Sequence, residues 1–209
     1  MKLVKFNDSA ISPSKIVCVG RNYADHIEEL NNEVPAEPVI FIKPNSSISQ
    51  DIYLDDSDEV HYEGEICFLV ESGTLTGIGI GLDLTKRKVQ SELKSKGLPW
   101  ERAKAFDNSA VFSQFVKFDG DFSSLSMKLF INDNLTQFAN IDLMLYKPND
   151  LLKDIQSFLS LEDGDILMCG TPRGVGEVKP DSTFHAQLIQ QEHVMLEATW
   201  VAKESKRED

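Results

Sequence analysis

Three cysteines in 209 residues are too few and too scattered for a disulfide framework or a zinc-ligand spacing. Cys18, Cys67 and Cys169 each sit among apolar neighbours, so they read as buried free thiols in a reducing cytoplasm. Basic side chains are also scarce, with 21 Lys and Arg against 34 Asp and Glu and a formal charge of −13. Such a surface repels phosphate backbones and anionic lipid, so neither nucleic acid nor membrane is an expected partner. No apolar run approaches the roughly 20 residues that cross a bilayer. Residues 1–8 lack the apolar stretch of a signal peptide. Without repeats or a low-complexity linker, one domain over residues 1–209 is expected, with a frayed charged tail at 203–209. The glycine-rich stretch 170–176 lacks the lysine and spacing of a Walker loop, which excludes nucleotide binding there. Its backbone amides and Thr171 retain the capacity to hold a carboxylate.

What remains is an ordinary globular balance of 41% hydrophobic and 26% charged residues. Apolar runs predict buried strands over 16–20, 39–44, 60–70, 77–84 and 166–169. Alternation predicts antiparallel strands at 111–118, 126–132 and 135–138, the last two joined by an Asp133-Asn134 turn, with a final strand over 192–201. Helices are expected over 23–32, 86–96 and 149–159, the last N-capped by Asn149. Strands dominate and do not alternate regularly with helices, so the class is α+β.

Chemistry first shows at Glu63-Gly64-Glu65. Residues two apart on a strand share a face, so both carboxylates point the same way, about 6–7 Å apart along the strand. The positions that follow are apolar on both faces, which puts the pair at the mouth of a buried strand. Desolvation and mutual repulsion there call for a compensating cation. Asp83 closes another apolar, glycine-rich strand and adds a third oxygen donor. Three carboxylates without histidine or cysteine suit a hard ion, magnesium or alternatively manganese. A solvated acidic stripe, and an N-cap role for Asp83, are the plain alternatives.

Arg87 and Gln90 follow Asp83 at +4 and +7, on one helical face. Lys104 precedes Ala105-Phe106-Asp107 and can stabilise a developing enolate if the chain turns it back to the acids. His26 and Glu29 are three apart on a predicted helix, where a carboxylate-oriented imidazole makes a good general base.

Gly20-Arg21-Asn22-Tyr23-Ala24-Asp25-His26, Phe41-Ile42-Lys43-Pro44, Tyr62-Glu63-Gly64-Glu65, Asp83-Leu84-Thr85-Lys86-Arg87, Gly97-Leu98-Pro99-Trp100, Ala103-Lys104-Ala105-Phe106-Asp107 and Gly170-Thr171-Pro172-Arg173-Gly174-Val175-Gly176 occur in that order. Together they resemble the fumarylacetoacetate hydrolase superfamily, most of all its acylpyruvase and oxaloacetate decarboxylase branch. The resemblance implies a mixed-sheet β-roll with a few short helices, a homodimer, and magnesium held by Glu63, Glu65 and Asp83. It implies catalytic roles for Lys104 and for a His26–Glu29 dyad on a lid helix, with Arg21, Arg87, Gln90 and Thr171 at the substrate site. Three departures stand out: Lys88 replaces the usual aspartate, Phe112-Ser113-Gln114 replaces a Pro- and Gly-containing stretch, and the loop between Val70 and Gly77 is short.

The activity so implied is magnesium-dependent C–C cleavage of a small 2-oxo acid. This means acylpyruvate hydrolysis or oxaloacetate decarboxylation, either of which releases a pyruvate enolate. Isomerisation or tautomerisation of a related 2-oxo acid is the alternative within the same chemistry. A non-catalytic dicarboxylate binder is the alternative outside it.

Overall fold

The computed structural model describes residues 1–30, 33–54 and 58–204. Its main sheet is mixed. Strand Lys15–Gly20 pairs antiparallel with Val39–Pro44 and parallel with Ile166–Met168. Ile166–Met168 then pairs antiparallel with Gly64–Glu71, and that strand with Thr74–Asp83. Ala110–Phe112 lies antiparallel to Thr74–Asp83 and parallel to Ile48–Ser49. A second sheet runs Asn134–Asn140, Leu125–Ile131, Thr183–Gln190, His193–Lys203 and Ile52–Tyr53. A small sheet of Thr85–Lys86, Val60–Tyr62 and Gly176–Glu177 sits by the acidic residues. Among the described residues four short α-helices complete the α+β fold: α1 (Ala24–Glu29), α2 (Arg87–Ser95), α3 (Glu101–Lys104) and α4 (Pro148–Gln156).

The central strands of the main sheet bury both faces, whereas those of the second sheet alternate buried and half-buried positions. Ile66, Phe68, Ile78 and Ile80 of the main sheet share one core with Met127, Leu129, Phe184 and Leu188 of the second. The other face packs Ile16, Cys18, Cys67, Phe115 and Met168 into a separate core. Glycine in Thr74–Asp83 makes that second core possible: a Cβ at Gly79 would lie 2.8 Å from the Phe115 ring. All three cysteines are free and buried, as expected.

Several boundaries differ from expectation. The strand expected over 60–70 breaks at Glu63, between Val60–Tyr62 and Gly64–Glu71, because its two parts join different sheets. Val39–Pro44 is an edge strand with only Lys43 buried. Pro148 opens α4, so Lys147 and not Asn149 is its N-cap. The hairpin turn is Asn132-Asp133, with φ of 48° and 64°, one residue earlier than expected. Strand Thr183–Gln190 was not anticipated, nor was helix α3. The short 70–77 connection is a tight Ser72-Gly73 turn, both residues having positive φ. Asn31 and Asn32, expected to end the first helix, and residues 205–209 of the tail lie outside the described residues.

Candidate active site

The break at Glu63 shapes the site. Gly64 N donates to Gln137 Oε1 at 2.9 Å and its carbonyl accepts from Thr171 Oγ1 at 2.9 Å. A Cβ at Gly64 would lie 2.9 Å from Gln137 Oε1, so glycine lets the chain turn between sheets at that point. Asp83 ends its strand beside Glu63, its N–H donating to Glu63 O at 2.9 Å. Carboxylate oxygens of Glu63, Glu65 and Asp83 lie within 4.8 Å of one another, and all three residues are buried.

Cations surround this triad. Lys104, at the end of α3, donates to Glu63 Oε2 at 2.8 Å, Asp83 Oδ2 at 2.6 Å and Thr85 Oγ1 at 2.6 Å. All three ammonium hydrogens are thereby used. Arg87 Nη2 donates to Glu63 Oε1 at 2.6 Å, and Nη1 to Gln90 Oε1 at 2.7 Å. Lys43 Nζ stands 2.8 Å from Asp83 Oδ1 and donates to the carbonyls of Leu84 at 3.2 Å, Ser109 at 3.0 Å and Lys104.

These partners split the triad electrostatically. Burial works against the charged form of Glu63, yet Lys104, Arg87 and His26 overcome it and hold the carboxyl well below its ordinary range. Glu65 goes the other way. Burial, then Asp83 and Glu63, push its carboxyl well up, only partly offset by the Gly170 N–H at 2.7 Å and by Lys104. Among the described residues no cationic side chain comes within ion-pair distance of Glu65. Burial also lowers Lys43, while Asp83 and Glu63 outweigh burial at Lys104 and keep it an ammonium. An all-oxygen, buried donor set with one carboxylate lacking a counter-charge fits a hard divalent ion.

Above the triad, His26 Nδ1 meets Glu29 Oε2 at 3.1 Å, and Glu29 Oε1 accepts from Gly174 N at 3.0 Å. Gly174 has φ 96°, and a Cβ there would lie 2.2 Å from Thr136 O, so this amide depends on glycine. The glycine-rich loop thus uses its amides on two of the protein's own carboxylates, Glu65 and Glu29. Asn22 fixes the approach to α1, donating to Tyr146 O at 3.0 Å and Cys169 O at 2.8 Å while accepting from Tyr146 N at 2.8 Å.

Arg21, His26, Arg87, Gln90 and Thr171 line one narrow cleft that reaches Glu63 and Lys104. Its volume is about 30 Å³, room for one or two waters. Glu65 and Asp83 lie beneath it. Thr171 spends its hydroxyl on Gly64 O and on the Gln137 amide, which donates to it at 2.9 Å. Lys94 and Trp100 also line the cleft and were not singled out from sequence, although Lys94 continues the Arg87 and Gln90 face at i+7. Burial, then the nearby Arg21 and Arg87, draw the Lys94 ammonium down to about 8. Lys43 and Gln137 were likewise missed.

A roll of mixed sheets around a buried acidic triad, with a carboxylate-oriented histidine above it, defines an enzyme-like site of the metal-assisted type. The model of the family described as "Fumarylacetoacetate (FAA) hydrolase C-terminal" matches residues 15–201, and the chain belongs to that family. The oxaloacetate tautomerase YcgM of Escherichia coli is 38% identical over 184 residues, 79% of this chain and 84% of its own. The mitochondrial oxaloacetate tautomerase FMP41 of Saccharomyces cerevisiae is 36% identical over 225 residues, 84% of this chain and 87% of its own. A crystal structure of an Oleispira antarctica protein superimposes with a TM-score of 0.92 at 35% identity, covering 97% of this chain and 100% of that one. No helix among the described residues is long and apolar enough to cross a membrane.

Proposed function

We propose that the protein is a divalent-metal-dependent tautomerase of oxaloacetate or a closely similar 2-oxo dicarboxylate, with magnesium or manganese held by Glu63, Glu65 and Asp83. The observation that carries this reading is the His26–Glu29 dyad. With Nδ1 tied to Glu29, the Nε2 atom of a buried imidazole is left for the cleft that ends at the triad. Two relatives named as oxaloacetate tautomerases support a 2-oxo acid of the oxaloacetate type as substrate.

When bound, the divalent ion would polarise the 2-oxo group and lower the cost of its enol form. The chain's own residues do the rest. His26 Nε2 exchanges a proton with C3 while the C2 hydroxyl gives one to, or takes one from, solvent water, and solvent returns the imidazole to its starting protonation, so the substrate keeps its mass. Glu29 holds the imidazole tautomer and supports its protonated form. Lys104 is too firmly an ammonium to act as base; it balances charge, and loading of the triad would free its donors for a substrate oxygen. Arg21, Arg87 and Gln90 orient the substrate. Thr171 acts through Gly64, setting the turn between Glu63 and Glu65.

The test follows ketonisation of enol oxaloacetate by its ultraviolet absorbance, with added magnesium and with chelator. Metal-dependent acceleration supports the reading. Tight binding of the substrate without acceleration would instead identify a dicarboxylate-binding protein.

A further inference from the structure

Four cationic side chains border the cleft, and they fall into two pairs. Arg87 and Lys104 are committed to Glu63 and Asp83. Arg21 and Lys94 are not: among the described residues neither pairs with a carboxylate. Arg21 adopts φ 57°, an uncommon backbone state for a bulky residue, and its Nε is buried without a partner. Lys94 lies two turns along α2 from Arg87, on the same face, with its ammonium 4.9 Å from the centre of the Trp100 ring. An aromatic face steadies such a cation but supplies no hydrogen-bond acceptor. In a chain carrying −13 overall, two half-buried cations act on each other here with no carboxylate in ion-pair contact and only a lesser opposing pull from Glu63, a setting that favours an added anion.

Resting on the reading above, we infer that Lys94 is a specificity residue that binds the distal carboxylate of a 2-oxo dicarboxylate. Trp100 holds its ammonium in place and Arg21 stands alongside as a second donor. The carboxylate takes the position that no protein anion fills, and the pair of cations reverses the chain's negative field at that spot. A 2-oxo monocarboxylate such as pyruvate leaves Lys94 without a partner and gains nothing from it.

The experiment measures binding calorimetrically on the magnesium-loaded full chain, using 3,3-difluoro-oxaloacetate, which has no C3 proton to transfer, and pyruvate. Lys94→Met keeps the aliphatic stem over Trp100 and removes the charge. It should weaken the dicarboxylate about tenfold or more and change pyruvate less than about twofold, with Lys94→Arg recovering part of the loss. Unchanged melting temperatures would confirm that both variants fold. Equal weakening of the two ligands, or no weakening, would overturn the assignment. Because binding is read without turnover, Lys94-dependent selectivity in a protein that leaves enol oxaloacetate untouched would keep this site and reject the proposed reaction.

Discussion

Lys43 and Asp83 form an ion pair in the interior, Nζ to Oδ1 at 2.8 Å, with both side chains essentially shut off from solvent. Lys43 also bonds the carbonyls of Leu84, Ser109 and Lys104, so one ammonium joins the triad to the backbone that carries Lys104. Breaking a buried pair from one side strands the other charge and costs about 3–5 kcal/mol. Lys43→Met should lower unfolding free energy by that order in a denaturant titration. A loss under about 1 kcal/mol would mean that Lys104 alone satisfies Asp83.

His26→Ala should reduce catalysed tautomerisation by about 10²–10⁴-fold, the usual worth of a positioned acid–base group. Glu29→Gln should cost less, since the imidazole remains but its tautomer is no longer fixed. Steady-state rates of both variants check the order. A Glu29→Gln variant slower than His26→Ala would show Glu29 itself meeting the substrate.

Magnesium should raise the melting temperature and chelator should reverse it. At a hundred times the dissociation constant the stabilisation is about 2.7 kcal/mol. Glu65→Gln should erase most of that increment and leave the metal-free fold within about 1 kcal/mol, because the neutral amide oxygen keeps the Gly170 bond without the charge burial penalises. A full metal response in Glu65→Gln would remove Glu65 from the ligand set.

Asp165 links the N-terminal region to the strand that leads into the glycine-rich loop. It accepts from Ser14 N at 2.9 Å, Lys15 N at 3.0 Å, Ser14 Oγ at 2.7 Å and Glu162 N at 2.9 Å, and pairs with Lys15 Nζ at 2.5 Å. Burial opposes its charge, but Lys15, Ser14 and the amides win and lower its pKa. With the folded value depressed, the unfolded chain binds more protons, so this stabilisation is present above the ordinary aspartate range and fades as pH falls through the folded value. Asp165→Asn should flatten the acid side of the stability curve measured by thermal unfolding. An unchanged curve would assign acid sensitivity to other carboxylates.

The acidic triad was legible because its cues are local. A period of two places Glu63 and Glu65 together, and an aspartate closing an apolar strand stands out. The i, i+3 spacing of His26 and Glu29 is equally local. Lys43 was not legible as a site residue: a single lysine before Pro44 at the end of an apolar run has no local mark of its role, and only register against Ile16 and closure by Leu84, Lys104 and Ser109 create its partners. Lys94 was within reach, since it continues the face of Arg87 and Gln90. Phe184, His185, Ala186, Gln187 and Leu188 alternate inward and outward with the period of two that marks a half-buried strand, so Thr183–Gln190 was also within reach. The commitments of Thr171 and of the glycine-rich loop to Gly64, Glu65 and Glu29 arise from long-range packing and have no local signature.

The central claim is proton transfer without bond cleavage, and a product balance tests it most directly. Enol oxaloacetate is given to the magnesium-loaded enzyme, and keto oxaloacetate, pyruvate and carbon dioxide are quantified together over the first turnovers. The account predicts rapid appearance of the keto form at constant total oxaloacetate, with pyruvate and carbon dioxide rising only at the enzyme-free rate. Pyruvate and carbon dioxide formed in step with enzyme turnover would contradict it.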